Sequence, residues 1–144
     1  MLKFVDILQD LLDDNNLTLR KLSGEIDVPF QVLYAYKQKD FYANIETAVK
    51  IADFFHCSLD YLFGLNDKKG NRKFSPLNLS VFYPRYIKLL KDNKTSHYHL
   101  YKTIGLNNSS ITKWKNGSTP KTESLIKIAE YFGVSIDYLV GRCG

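Results

Sequence analysis

Two phrases of this sequence are nearly the same: CSLDYLFG at residues 57–64 and VSIDYLVG at residues 134–141. The likeness continues through most of the chain. When Phe4 is aligned with Phe82, the halves pair at an offset of 78 as far as a loop around residues 40–43, where one additional residue changes the offset to 77. Because self-similarity at a fixed period indicates repeated structural units, we expect two copies of one small domain within the 144 residues.

The segment between the copies has a different composition. Residues 66–79 are polar and basic, and they contain Gly70 and Pro76, which favours a linker over a regular element. We therefore expect a first domain at residues 1–65, a linker at residues 66–79 and a second domain at residues 80–144.

Each copy contains five segments with a helical pattern. The first and fourth segments place apolar residues at the spacing of one buried helix face. Thr18 and Ser96 are suitable N-cap residues for the second helix of each copy, as are Ser58 and Ser135 for the fifth. The pattern predicts an all-α fold with two tandem five-helix domains joined by the linker.

The second and third helices of the second copy are separated by a short turn at Gly105. The third helix is expected at residues 107–116, where Gly117 can adopt the left-handed conformation that ends a helix. Two such helices crossing over a shared apolar core form a helix-turn-helix, whose second member can lie in the major groove of DNA. The residues with the spacing of that core are Leu100, Ile104, Leu106, Ile111 and Trp114.

Charge is distributed unevenly along the chain. Residues 1–65 carry six Lys/Arg against ten Asp/Glu, residues 66–79 carry four against one, and residues 80–144 carry ten against four. The overall net charge of +5 is therefore concentrated in the linker and the second domain. A polyanion such as DNA would be attracted to the second domain and weakly repelled by the first.

The stretch IGLNNSSITKWKNGSTPKTESLIKIAEYFGVSIDYLVG resembles the Cro and phage-repressor type of helix-turn-helix family, also called the xenobiotic-response-element type. The resemblance covers nearly all of the second copy and, more loosely, the first. It implies a lambda-repressor-like fold and sequence-specific binding of double-stranded DNA. Members of this family are usually dimeric and usually repressors.

The resemblance also implies roles for individual residues of the second copy. Four would face base edges: Asn108, Ser109, Thr112 and Lys113. Six would face phosphates: Ser96, His97, Asn107, Asn116, Ser118 and Lys121. The family commonly has Gln at the position of His97. For Asn107 a second interpretation stays open, in which it acts only as an N-cap. Trp114 is expected to be a core residue rather than a group that stacks on bases.

The first copy departs from the family pattern in its third helix, expected at residues 29–38. Most of the polar residues of the second copy are replaced there, and Gln31 is the one able base reader. Because the first copy is also acidic, we favour dimerisation or binding of a protein partner over a second DNA site. The residues of this candidate surface are Phe30, Gln31, Tyr34, Phe41 and Tyr42, although Tyr34 could instead belong to the core.

Enzymatic function finds little support in the sequence. We find no phosphate-binding glycine loop, no nucleophile motif and no spacing of metal ligands, so we expect no cofactor and no metal. Cys57 and Cys143 lie in different copies without a neighbouring partner cysteine. No apolar run approaches the length of a membrane span, and we expect a cytoplasmic protein.

The sequence therefore predicts a transcriptional regulator of bacterial or phage origin, a repressor that binds DNA as a homodimer. One alternative is a protein-interaction module, such as an antitoxin or inhibitor, that uses the aromatic residues of the first domain. Another is a monomer whose two copies read adjacent half-sites.

Overall fold

A computed structural model describes residues 3–39, 42–70 and 73–144 of the chain. Within these ranges every regular element is a helix, so the predicted all-α class is confirmed. The chain divides into two compact units, Met1–Lys73 and Phe74–Gly144. Over the same ranges, no helix is both long and apolar enough to cross a membrane.

In the part of the first unit that the structure describes there are five α-helices. They are α1 (Phe4–Asp14), α2 (Leu19–Ile26), α3 (Phe30–Lys39), α4 (Ile45–Phe54) and α5 (Leu59–Leu62). Helix α2 packs against α3 and α4, while α5 packs against α1 and α4. The core is formed by residues that are almost completely buried on these helices, among them Leu8, Leu22, Leu33, Ile51 and Leu62.

The second unit begins with a short 3₁₀ turn at Leu79–Val81. Five α-helices follow: α6 (Phe82–Asp92), α7 (His97–Ile104), α8 (Ser110–Lys115), α9 (Thr122–Phe132) and α10 (Ile136–Leu139). Helix α10 closes the unit by packing against α6 and α9. Its core includes Tyr86, Leu100, Leu125, Ile128 and Leu139, each of which is almost completely buried.

The two units place their helices at the offsets that align their sequences. Helices α1 and α6 both have 11 residues and begin 78 positions apart, at Phe4 and Phe82. Four pairs of residues with positive φ follow the same offsets, 78 in the first half of each unit and 77 in the second. These pairs are Asn16 and Lys94, Asp27 and Gly105, His56 and Gly133, and Gly64 and Gly141.

The predicted N-caps are confirmed. Side-chain oxygens of Thr18 and Ser96 accept the backbone N–H of the residue three positions on, as do those of Ser58 and Ser135. Each of these bonds satisfies one N–H that would otherwise lack a partner in the first turn of the helix. The repeated phrase at the end of each unit is therefore a capped closing helix.

Part of the predicted linker belongs to the second unit, which begins at Phe74 rather than at residue 80. The N–H of Ser75 donates to the carbonyl of Arg142 at 2.8 Å, and the N–H of Asn78 donates to the carbonyl of Val140 at 2.9 Å. The Arg142 guanidinium also lies 4.5 Å from the centre of the Phe74 ring. These contacts attach the chain before α6 to the end of α10.

The segment after α10 is held by a buried ion pair. Arg142 Nη1 donates to Asp137 Oδ1 at 2.5 Å, and the two side chains are 1% and 2% exposed. Arg85 of α6 donates to the carbonyls of Tyr138 and Cys143, the latter at 2.8 Å. The end of the second unit is therefore fixed by two arginines and by the chain segment before α6.

Candidate nucleic-acid interface

Helices α7 and α8 form the pair that the sequence predicts. Helix α7 begins after Ser96, whose Oγ accepts the N–H of His99 at 3.1 Å, and it ends at Gly105, which has φ of 77°. A side chain at this left-handed position would be strained, so glycine suits the sharp turn. Leu106 follows and is buried, which directs the chain back across the core toward α8.

The start of α8 differs from the prediction. The helix begins at Ser110 rather than at residue 107, because residues 107–109 form a turn closed by the Asn107 side chain. Asn107 Oδ1 accepts hydrogen bonds from the N–H of Ser109 at 3.0 Å and from the Ser109 hydroxyl at 2.8 Å. The Asn107 carbonyl accepts the N–H of Ser110 at 3.1 Å. Such local bonds compete with helical ones, which is why Asn residues favour turns over helix interiors. Asn107 therefore shapes the entry to α8.

The end of α8 has the bonding pattern of a Schellman motif. Gly117 has φ of 95°, and its N–H donates to the carbonyl of Trp114 at 3.1 Å. The N–H of Ser118 donates to the carbonyl of Lys113 at 2.9 Å. These bonds satisfy the last carbonyls of the helix and fix its length. The predicted left-handed conformation at Gly117 is confirmed.

The two sides of α8 differ in exposure. Trp114 is 6% exposed and lies in the core, as predicted, and Ser110 and Ile111 are half-buried. The four residues predicted to face base edges are exposed: Thr112 and Lys113 on the helix, and Asn108 and Ser109 in the turn before it. Their assignment to bases stays a prediction, and their exposure leaves them available to a ligand.

Five of the six residues predicted to contact phosphates are also exposed: Ser96, Asn107, Asn116, Ser118 and Lys121. His97 is the exception, because it is only 5% exposed. Its Nδ1 lies 2.6 Å from the Tyr86 hydroxyl and its Nε2 lies 2.9 Å from the Asn107 carbonyl oxygen. Both ring nitrogens are engaged inside the unit, so the predicted phosphate contact of this ring is not compatible with the arrangement.

Sequence reasoning missed this buried contact between Tyr86 and His97. Tyr86 lies on the buried face of α6, where a hydroxyl requires a partner. Burial raises the pKa of Tyr86 above its ordinary value, which keeps the hydroxyl protonated. Comparison of the two copies could have indicated this contact, because the positions equivalent to Tyr86 and His97 in the first copy are Leu8 and Leu19. The two positions change together from apolar to polar residues, as expected for side chains that touch.

The charge around α7 and α8 is of one sign. From Asn93 to Thr122 the sequence contains five lysines and no Asp or Glu. The equivalent residues 15–45 of the first copy contain four Lys/Arg and three Asp/Glu. A field of this kind attracts polyanions, and its strength falls as salt is added.

The equivalent face of the first unit is aromatic. Val32 and Tyr34 of α3 are 37% and 46% exposed, and Tyr42 is 37% exposed, so Tyr34 does not belong to the core. The ring of Phe30 stacks on that of Tyr34 with centroids 5.6 Å apart, and the Arg20 guanidinium lies 4.2 Å from the Phe30 centroid. The predicted Phe41 lies outside the described residues. We refer to Phe30, Tyr34 and Tyr42 as the aromatic surface.

Comparison with protein families matches residues 88–139 to a family described as helix-turn-helix. The matched segment covers α7, α8 and α9, and therefore the exposed polar side of α8. No curated protein and no solved structure shows significant similarity to the chain. The match supports a DNA-binding role for this part of the second unit.

Proposed function

We propose that this protein is a sequence-specific DNA-binding transcriptional regulator rather than an enzyme, and that α8 of the second unit enters the major groove. The observation that carries the proposal is the two-sided character of α8. One side buries Trp114, whereas the other exposes polar side chains within a stretch of five lysines and no carboxylates. The helix-turn-helix match over residues 88–139 supports the same assignment.

The exposed side chains suit different parts of DNA. Asn108 can bond adenine through two hydrogen bonds, and Lys113 can donate to the acceptors of guanine, while Ser109 and Thr112 discriminate less between bases. Phosphates would be bound by Ser96, Asn107, Asn116, Ser118 and Lys121. Contacts of this second kind fix the register of the protein on the duplex and make the affinity dependent on salt.

We further propose that the two units are tandem copies of one lambda-repressor-like domain and that the second copy reads DNA. The shared offsets of helices and of residues with positive φ support the duplication. Two chains would place two α8 helices about 34 Å apart, one turn of B-DNA, on an imperfect palindrome. Binding there would repress transcription by occupying a promoter.

The aromatic surface supports a role for the first unit in making that dimer. Phe30 and Tyr34 lie four residues apart on the same side of α3, and their rings stack. Exposed apolar patches of this kind often mark protein interfaces. Gln31 is the single predicted base reader of α3, and the acidic character of the first copy disfavours DNA. A protein partner other than a second chain would use the same residues.

The test of DNA binding is selection of bound duplexes from a random pool with the full chain at two salt concentrations. We expect one enriched motif, of palindromic character, with binding that weakens steeply as salt increases. Enrichment of no motif, with weak binding that depends on salt alone, would contradict the proposal. It would favour a protein-binding role for the whole chain.

The test of the dimer is sedimentation equilibrium of the chain and of the double variant Phe30→Ala/Tyr34→Ala. We expect a dimer that the double variant converts to a monomer. Lys50→Ala, at an exposed residue of α4 outside the aromatic surface, is the control that should leave the dimer intact. If the unmodified chain is a monomer that still protects about two turns of DNA, both copies read half-sites within one chain.

A further inference from the structure

We propose that Tyr86 and His97 are positioning residues that hold the entry to α8 and thereby set how strictly it discriminates between bases. This inference rests on the proposed DNA-binding function of α8. It assigns a role to a buried polar contact that lies away from the exposed side of the helix, between α6, α7 and the turn before α8.

The direction of the hydrogen bonds follows from the partners. The Asn107 carbonyl can only accept, so the hydrogen on His97 must be carried by Nε2, which lies 2.9 Å from that oxygen. In this tautomer Nδ1 is an acceptor, and the Tyr86 hydroxyl at 2.6 Å donates to it. A chain of two bonds therefore runs from Tyr86 through His97 to the backbone of Asn107.

The Asn107 carbonyl is the junction between the turn and the recognition helix. It also accepts the N–H of Ser110, the first residue of α8, at 3.1 Å. The side chain of the same Asn107 holds Ser109 through two further bonds. Fixing this one peptide unit therefore limits how far Asn108 and Ser109 can move relative to the rest of the unit.

The same two side chains also contact the far half of α8. The His97 ring lies 5.6 Å from the Trp114 ring, and the Tyr86 ring lies 5.4 Å from it, both in edge-to-face geometry. Phe82 completes the cluster, with its centroid 5.1 Å from that of Trp114. The network therefore restrains α8 at its entry through hydrogen bonds and along its length through packing of rings.

The first unit shows that folding of this helix pair does not require the polar contact. Leu8 and Leu19 occupy the equivalent positions there and are buried. A buried hydroxyl and a buried imidazole lose their hydration, and their mutual bond recovers only part of that loss. Compared with two leucines, the polar pair fixes the orientation of the Asn107 backbone, because hydrogen bonds are directional whereas apolar packing is not.

The test uses three variants of the full chain: Tyr86→Phe, His97→Gln and the double variant Tyr86→Leu/His97→Leu. The probes are the duplex most enriched from a random pool by the unmodified protein, its single-base variants, and a duplex of unrelated sequence. Affinities are measured by fluorescence anisotropy at one salt concentration. The fluorescence of Trp114, the single tryptophan of the chain, reports whether the second unit stays folded during urea denaturation.

We expect Tyr86→Phe to weaken binding of the enriched duplex about tenfold, because one buried acceptor loses its donor, while affinity for the unrelated duplex stays unchanged. The double leucine variant should remain folded, as the first unit does. It should lose the same part of the discrimination between the enriched duplex and the unrelated one. His97→Gln should retain it, because the amide can donate to Asn107 and accept from Tyr86. If Tyr86→Phe or the double leucine variant stays folded and still discriminates like the unmodified protein, the inference is overturned.

A measurement without DNA separates this inference from the proposed function. Two-bond ¹H–¹⁵N spectra should show the Nε2–H tautomer of His97, and Tyr86→Phe should accelerate hydrogen exchange at the N–H of Ser110. An Nδ1–H tautomer would overturn the inference whatever the DNA results are. If the spectra agree but no duplex is enriched, the proposed function is wrong and the inference fails with it.

Discussion

The buried ion pair between Asp137 and Arg142 leads to a prediction of large effect. Replacing Arg142 with Met introduces an apolar side chain of similar length and removes the positive charge that lies 2.5 Å from the Asp137 carboxylate. Both side chains are almost completely buried, at 1% and 2% exposure, so the remaining carboxylate cannot be reached by water without local rearrangement. Removing one partner of a buried pair costs about 3–5 kcal/mol.

That cost is large relative to the stability of a unit of this size. At roughly 0.05–0.15 kcal/mol per residue, the second unit should have about 4–11 kcal/mol of unfolding free energy. A domain of its length loses roughly 4–8 °C of Tm for each kcal/mol, so Arg142→Met should lower the Tm by at least about 12 °C. Loss of the contact between the buried guanidinium and the Phe74 ring adds about 0.5–2 kcal/mol.

The assay is urea denaturation of the full chain followed by the fluorescence of Trp114. This residue lies in the second unit and is the single tryptophan of the sequence, so the signal reports that unit alone. The double variant Asp137→Leu/Arg142→Met should be closer to the unmodified protein than Arg142→Met is, because it leaves no buried charge. Lys88→Ala, which breaks the exposed pair with Asp92, should change the free energy of unfolding far less than Arg142→Met does, because solvent screens an exposed ion pair.

If Arg142→Met lowers the free energy of unfolding no more than Lys88→Ala does, the buried ion pair does not have the predicted effect. If the double variant is less stable than Arg142→Met, the cost comes from lost packing rather than from loss of the ion pair, which also contradicts the prediction.

Three further predictions concern the second unit. Gly133→Ala should lower the free energy of unfolding by about 1–2 kcal/mol in the same urea assay, because Gly133 has positive φ. Gly141→Ala should lower it more, because Gly141 also has positive φ and a Cβ there would lie 2.9 Å from a backbone oxygen. Equal costs would show that the close approach relaxes. Since burial raises the pKa of Tyr86 in the folded state, its stabilising contribution is present below the unfolded pKa of about 10 and is lost as pH rises through the folded value. Tyr86→Phe should therefore flatten the decline of stability above pH 10, and an identical decline in both proteins would refute this. Lys121→Ala should weaken binding to all duplexes alike and lower the salt slope by about 1, whereas Lys88→Ala should leave the slope unchanged.

Most of the fold was predictable from the sequence, because helical periodicity and helix caps depend on residues close in sequence and the repeat shows the same pattern twice. The N-caps at Ser58 and Ser135 and the left-handed position at Gly117 depend on residues within one turn of them. Local rules of this kind need no knowledge of the rest of the chain. The exposed side of α8 was predictable for the same reason, once Trp114 was assigned to the core.

The errors concern contacts between residues that are distant in sequence or compete locally. His97 was expected at the surface, and its burial depends on Tyr86, which lies 11 residues earlier on another helix. Residues 74–79 were expected in a linker because their composition is polar, but their backbone bonds to residues near the end of α10 are invisible to composition. The start of α8 was placed too early because the Asn107 side chain replaces helical bonds with a turn.

The most direct test of the central claim is the base preference of Asn108→Ala, measured on the duplex enriched by the unmodified protein and on its single-base variants. If α8 reads the major groove, the substitution costs about 1–3 kcal/mol on the enriched duplex and removes the preference at one base position, while the other positions keep theirs. If affinity and preference are unchanged at every position, the turn that leads into α8 does not read DNA in the way proposed, and the assignment of this face to the major groove is wrong.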